Sequence, residues 1–168
     1  ILDADHGAVE VTALERLGEY ADGVGAAHLE ALRQAMRKSH VDAVIIPGTD
    51  PHQSEYTSAH WKLRDWVTGF TGSNGTAVVT LTDAGLWTDS RYFLQAAQQL
   101  EGTEIKLYKE MLPETPSISA FLSAQLTPGD TVGIDGKMFS AEEVERMQAE
   151  LQKCQIEVKN LCIMQYHN

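Results

Sequence analysis

Thr76-Ala77-Val78-Val79-Thr80-Leu81-Thr82-Asp83-Ala84-Gly85-Leu86-Trp87-Thr88-Asp89-Ser90-Arg91-Tyr92-Phe93-Leu94-Gln95-Ala96-Ala97 decides the fold. Thr76 to Leu81 is a β-branched run suited to a pleated, half-buried surface. Asp83-Ala84-Gly85 turns it, and Leu86-Trp87-Thr88 returns as the second arm of a β-hairpin. Asp89 then stands as N-cap of a helix predicted from Ser90 to about Leu100, with Phe93, Ala96, Ala97 and Leu100 on one face.

The same alternation continues on both sides. Upstream, Leu29, Leu32, Ala35 and Met36 recur at helical spacing, while Glu30, Arg33, Arg37 and Lys38 take the other face, and the helix should end near His40. Asp42-Ala43-Val44-Ile45-Ile46 is a short apolar run closed by Pro47-Gly48, the pattern of a buried strand and its exit. A long polar loop follows. Trp61 to Phe70 then reads as a short helix plus an extended piece, closed by the Gly72-Ser73-Asn74-Gly75 turn, with Gly72 and Gly75 expected to supply positive φ.

Downstream, Glu104 to Lys109 alternates Ile105 and Leu107 with charges, as a half-exposed strand does. Ile118, Phe121, Leu122 and Leu126 give another amphipathic helix, and Thr131-Val132-Gly133-Ile134-Asp135 another strand. Ser140-Ala141-Glu142-Glu143 is a capping box opening a helix that buries Met147 and Leu151. Ile156-Glu157-Val158 is the last strand. Alternating strands and helices with one hairpin mean a single three-layer α/β domain, a mixed β-sheet flanked by helices.

Residues 1–26 read as an acidic, glycine-punctuated extension, in which Thr12-Ala13-Leu14-Glu15 could open a short helix before Gly23-Val24-Gly25 breaks it. Residues 27–159 form the domain, and residues 160–168 a tail or the start of a linker. The 168 residues suffice for one core. A formal net charge of −11 disfavours nucleic acid and anionic membrane surfaces as partners. No apolar run reaches the roughly 18 residues of a membrane-spanning helix. Cys154 and Cys162 form neither a CxxC nor a disulfide framework, so a reducing compartment is expected.

No complete catalytic set is visible. The histidines never pair at i, i+4, and His52 to Glu55 is only an isolated HxxE. There is no GxSxG elbow, and neither cysteine has a histidine neighbour in a catalytic context. The glycine-rich run Gly69 to Gly75 precedes a strand rather than opening a helix, which removes the dipole argument for a phosphate cradle. Asp50, Glu55, Asp89 and Asp135 fall at or just beyond strand ends, where carboxylates could hold magnesium for phosphodiester hydrolysis; the acidic surface and the lack of a basic stripe oppose that alternative. Arg91 sits two residues after an N-cap, where the helix terminus disfavours a cation, so it requires a partner carboxylate. That partner could belong to a ligand or a neighbouring domain; the alternative is an ordinary surface arginine, solvated or salt-bridged to Asp89 or Glu55.

Several runs in register carry a resemblance: Asp50-Pro51-His52-Gln53-Ser54-Glu55-Tyr56, Thr68-Gly69-Phe70-Thr71-Gly72-Ser73, Gly75-Thr76-Ala77 and Trp87 to Ala96. From about Leu29 to Val158 the chain resembles the N-terminal domain of the Xaa-Pro aminopeptidases, the aminopeptidase P branch of the creatinase and prolidase family, most of all the cytosolic three-domain form. The resemblance implies a ribonuclease-H-like mixed sheet without nuclease activity, packed over a C-terminal catalytic domain. That missing domain would hold two divalent ions, commonly manganese, through two Asp, two Glu and one His, and release the N-terminal residue of peptides with proline in second place. It further implies substrate-side roles for Arg91, His52, Glu55 and Tyr56, with no catalytic residue and no metal ligand in this chain. The implied partners are the catalytic domain of the same parent, Xaa-Pro peptides and, as an open option, a second copy; the implied location is cytoplasmic. Residues 160–168 depart from the family pattern, so a fragment and a truncated stand-alone binding module are both compatible with the sequence.

Overall fold

The computed structural model describes residues 24–48 and 63–161. Among them the elements run α1 (Val24–Lys38), β1 (Ala43–Pro47), α2 (Leu63–Thr68), β2 (Thr76–Thr80), β3 (Ala84–Thr88) and a 3₁₀ turn (Ser90–Tyr92). They continue through α3 (Phe93–Gln99), β4 (Lys106–Lys109), α4 (Ile118–Gln125), β5 (Thr131–Ile134), a second 3₁₀ turn (Gly136–Met138), α5 (Ala141–Gln152) and β6 (Glu157–Asn160). The strands form one six-stranded sheet in the order β4-β3-β2-β1-β5-β6.

Only β2 runs against its neighbours. It is antiparallel to both β1 and β3, with Ile45 opposite Val78 and Val78 opposite Gly85. The other pairings, β3 with β4, β1 with β5 and β5 with β6, are parallel. The start of β2 therefore lies at the edge where the other strands end. Strand alternation sorts the side chains into two cores. Val44, Ile46, Ala77, Val79, Ala84 and Leu86 pack with α1, α2 and α3 on one face. Ala43, Ile45, Val78, Trp87, Val132 and Ile134 meet Phe121 and Leu122 of α4 and Leu151 of α5 on the other. The expected three-layer α/β architecture is what forms.

Packing explains two residues that break the β pattern. Trp87 stacks on Tyr108 of the adjacent strand at 4.2 Å between centroids and donates Nε1 to the Pro116 carbonyl at 2.9 Å. Gly85, one pleat earlier on that face, leaves room for the Tyr108 ring, which a Cβ would strike. Gly133 does the same on the opposite face for Leu161. The capping box at Ser140 is present in full: Ser140 Oγ accepts from Glu143 N, and Glu143 Oε2 accepts from Ser140 N.

Four features of the fold differ from what the sequence predicts. Val24 and Gly25, expected to break an N-terminal helix, instead lie in the first turn of α1. Arg33, assigned to the solvent face of α1, is buried: Nε and Nη2 donate to the carbonyls of Thr80 and Asp83, and Nη1 meets Glu104 Oε1 at 2.8 Å. It closes the β2–β3 turn, adding donors to the Thr80 carbonyl and to the Asp83 carbonyl, which also accepts from Thr80 N. Positive φ in the glycine loop occurs at Gly69 (76°) and Gly75 (157°), not at Gly72. Gly72 is needed instead because a Cβ would overlap the Phe70 ring. Finally, the segment after Asp89 starts as a 3₁₀ turn and becomes α-helical only at Phe93. Thr12 to Glu15 and the expected tail after residue 161 lie outside the described residues.

Candidate functional site

The edge where β1, β3, β4, β5 and β6 end and β2 begins gathers the polar residues that packing does not consume, the usual place for ligands in an open α/β sheet. Its floor is built by Arg64 of α2. This guanidinium is almost fully buried and donates to the carbonyls of Gly75 at 3.0 Å, Phe70 at 3.5 Å and Gly72, while Nη2 pairs with Asp65 Oδ1 at 2.8 Å. It also lies 4.9 Å from the Phe70 ring centroid. A loop with little regular hydrogen bonding is thus tied to one cation, satisfying carbonyls that would otherwise be buried without donors. Thr88 Oγ1 adds a bond to the Asn74 carbonyl, and Ser73 Oγ pairs with the Tyr92 hydroxyl.

At the end of β3 the chain turns through Asp89. Its Oδ1 accepts from Arg91 N at 3.0 Å, the expected cap, although on a 3₁₀ turn. Its two oxygens also take Nε and Nη2 of the Arg91 side chain, at 3.1 and 2.8 Å. Arg91 remains 66% exposed and lies 5.2 Å from the Tyr92 ring centroid. Hydrogen bonding to Arg91 holds the Asp89 carboxyl below its ordinary range, and Asp89 raises Arg91 in return. Glu110, just past β4, is pushed the other way, first by burial and then by the negative charge of Asp89. A cleft of about 440 Å³ opens at the same edge beside α5, walled by Pro47, Gly48, Gly75, Met138, Phe139 and Met147. Arg91 does not line it.

A profile of the creatinase/prolidase N-terminal domain matches residues 28–162. This chain belongs to that family. The rat Xaa-Pro aminopeptidase 2 is 48% identical over 124 residues, which cover 74% of this chain and 18% of the relative. Aminopeptidase P2 of Arabidopsis thaliana is 46% identical over 113 residues, 67% of this chain and 16% of that protein. Among solved structures, the X-prolyl aminopeptidase of Caenorhabditis elegans, described as a cytosolic enzyme with a di-nuclear active site, superposes with a TM-score of 0.76 at 27% identity, covering 86% of this chain and 25% of that one. The chain therefore spans less than a fifth of the rat and Arabidopsis relatives and a quarter of the worm enzyme.

Within this creatinase/prolidase N-terminal domain, Arg91 lies just past the end of β3, and its carboxylate partner among the described residues is Asp89, one of the intrachain options raised by the sequence. His52, Glu55 and Tyr56 lie outside the described residues, as does Asp50. Of the carboxylates weighed for magnesium, the two described ones are engaged separately: Asp89 grips Arg91, and Asp135 caps the second 3₁₀ turn by accepting from Lys137 N. Among the described residues no three His, Cys, Asp or Glu side chains group to hold a metal ion, so the di-nuclear centre of the worm relative has no counterpart in them. No described helix is long and apolar enough to cross a membrane. Sequence reasoning missed Arg64 and Glu110. For Arg64 the available signal was the glycine loop that follows, rich in carbonyls and poor in partners; Glu110 had none.

Proposed function

We propose that this domain serves, without catalytic residues of its own, as the N-terminal part of a proline-specific metallo-aminopeptidase and shapes the cleft of a catalytic domain. The relative at 48% identity is an Xaa-Pro aminopeptidase by name and the plant relative at 46% an aminopeptidase P, which supports peptides with proline in second place as the substrate class. The description of the worm relative supports a pair of metal ions in the catalytic domain and a cytosolic setting; manganese is the ion we assign. His52, Glu55 and Tyr56 belong to the same substrate-side group in this reading, from the family motif alone.

The observation that carries the proposal is Arg91. An arginine that is 66% exposed, anchored at the ligand edge of the sheet, offers its free guanidinium edge to whatever packs there. Buried arginines elsewhere in the domain serve loops; this one serves no loop. Arg91→Ala in the full-length protein should lower kcat/KM on an Xaa-Pro peptide about tenfold or more, the loss expected for a charge-assisted contact. An unchanged kcat/KM with a normal melting temperature would return Arg91 to an ordinary surface residue.

A further inference from the structure

Asp89 performs two separable tasks with one carboxylate. One oxygen caps the 3₁₀ turn by accepting from Arg91 N. Both oxygens, together, hold Nε and Nη2 of the Arg91 side chain. The first task needs a single acceptor oxygen, and asparagine or serine supplies one about as well as aspartate. The second needs two equivalent oxygens set against the planar fork, which only a carboxylate provides. Capping does not account for it.

Nor does stability. An ion pair this exposed contributes little in water, because solvent screens the charges and two side chains must be immobilised to form it. What the pair does fix is direction. A long arginine side chain carries rotamer entropy that a ligand would otherwise have to remove on binding. Held side-on by Asp89 and backed by the Tyr92 ring, the guanidinium keeps its Nη1 edge without a hydrogen-bond partner among the described residues. A donor edge fixed in advance loses less on meeting an acceptor than a free side chain does.

We propose that Asp89 is the positioning residue for Arg91, holding its guanidinium side-on so that the Nη1 edge meets an acceptor oxygen of the bound peptide. The proposal rests on the substrate-side role of Arg91 given above. It makes Asp89 a residue that acts on substrate only through another.

The test is a double-mutant cycle in the full-length enzyme, with Asp89→Asn and Asp89→Ser as variants that keep the cap and lose the grip. Either one should lower kcat/KM several-fold, mainly through KM, with a melting temperature within about 2 °C of the parent; the double variant with Arg91→Ala should be no slower than Arg91→Ala alone, because the lost interaction is shared. A purely structural Asp89 would instead give losses that multiply. Wild-type kinetics in both Asp89 variants, or multiplied losses, overturn the positioning role while a slow Arg91→Ala enzyme keeps the substrate role of Arg91. Wild-type kinetics in Arg91→Ala overturn both.

Discussion

Arg64 lies so close to the backbone of Gly48 that a Cβ at position 48 would overlap its guanidinium. The residue that ends the first strand's exit and the cation that ties the glycine loop are therefore one packing unit, although residues 49–63 separate them in the chain. A side chain at 48 must displace Arg64, and displacement strips donors from the carbonyls of Gly72 and Gly75.

Gly48→Ala should accordingly cost about 1–3 kcal/mol, the desolvation penalty of carbonyls left without donors, read as a lower urea midpoint at unchanged m-value. Combined with Arg64→Ala it should cost little more than Arg64→Ala alone. Gly25→Ala is the contrast: nothing lies within 4 Å of a Cβ built there, and the position is helical. That change should add roughly 0.5–1 kcal/mol. Equal losses at both glycines would refute the packing account.

Two helices end on residues that glycine usually supplies. His40 (φ 58°) follows α1, with Val41 N bonded to Met36 O and His40 N to Arg37 O. Gln155 (φ 60°) follows α5 with the same pair of bonds, Ile156 N to Leu151 O and Gln155 N to Gln152 O. Both are Schellman endings closed by a buried apolar residue, Val41 or Ile156. His40→Gly and Gln155→Gly should each raise stability by about 0.5–1 kcal/mol, since the left-handed penalty on a Cβ exceeds the entropy cost of glycine there. Thermal melts would show the two gains adding; a loss in either would mean that its side chain makes a contact worth more than the strain.

Glu110 and Asp89 should respond oppositely to acid. Burial and Asp89 raise the Glu110 carboxyl in the fold, so its contribution to stability is complete below the unfolded pKa and is lost as pH rises through the raised value. Glu110→Gln removes that loss, and its melting temperature should exceed the parent's at about pH 7 and converge with it toward about pH 3.5. Asp89 is lowered by Arg91, so its contribution is present above the ordinary carboxylate range and fades as pH falls. Asp89→Asn should therefore lie closest to the parent in acid. A Glu110→Gln advantage that grew on acidification would contradict the assignment.

Most of the architecture could be read from local pattern. The hairpin of β2 and β3, the Asp89 cap and the capping box at Ser140 each depend on residues adjacent in the chain, so period and cap chemistry suffice to find them. What escaped was long-range polar satisfaction. Arg33 looked solvated because helical periodicity records only which residues are apolar, whereas its burial is decided by carbonyls of Thr80 and Asp83 far along the chain. Gly72 was assigned a backbone role when the constraint came from the Phe70 ring. At the site, the charge conflict of Arg91 with a helix start was legible from spacing, and Asp89 was one of the partners that spacing allowed. The two-pronged geometry and the influence of Asp89 on Glu110 needed coordinates, because Glu110 reaches that corner only by the parallel pairing of β3 and β4.

The single reversed strand makes the two ends of β2 unequal in how freely they can diverge. Its far end is a tight turn whose carbonyls are gripped by Arg33, so lengthening it would unseat a buried cation. Its near end is approached by a loop tied mainly through Arg64, at the rim where neighbouring strands exit. Duplicated copies of such a domain can thus re-tailor what they grip by redrawing one rim, while the opposite pole stays fixed as the anchor of the scaffold.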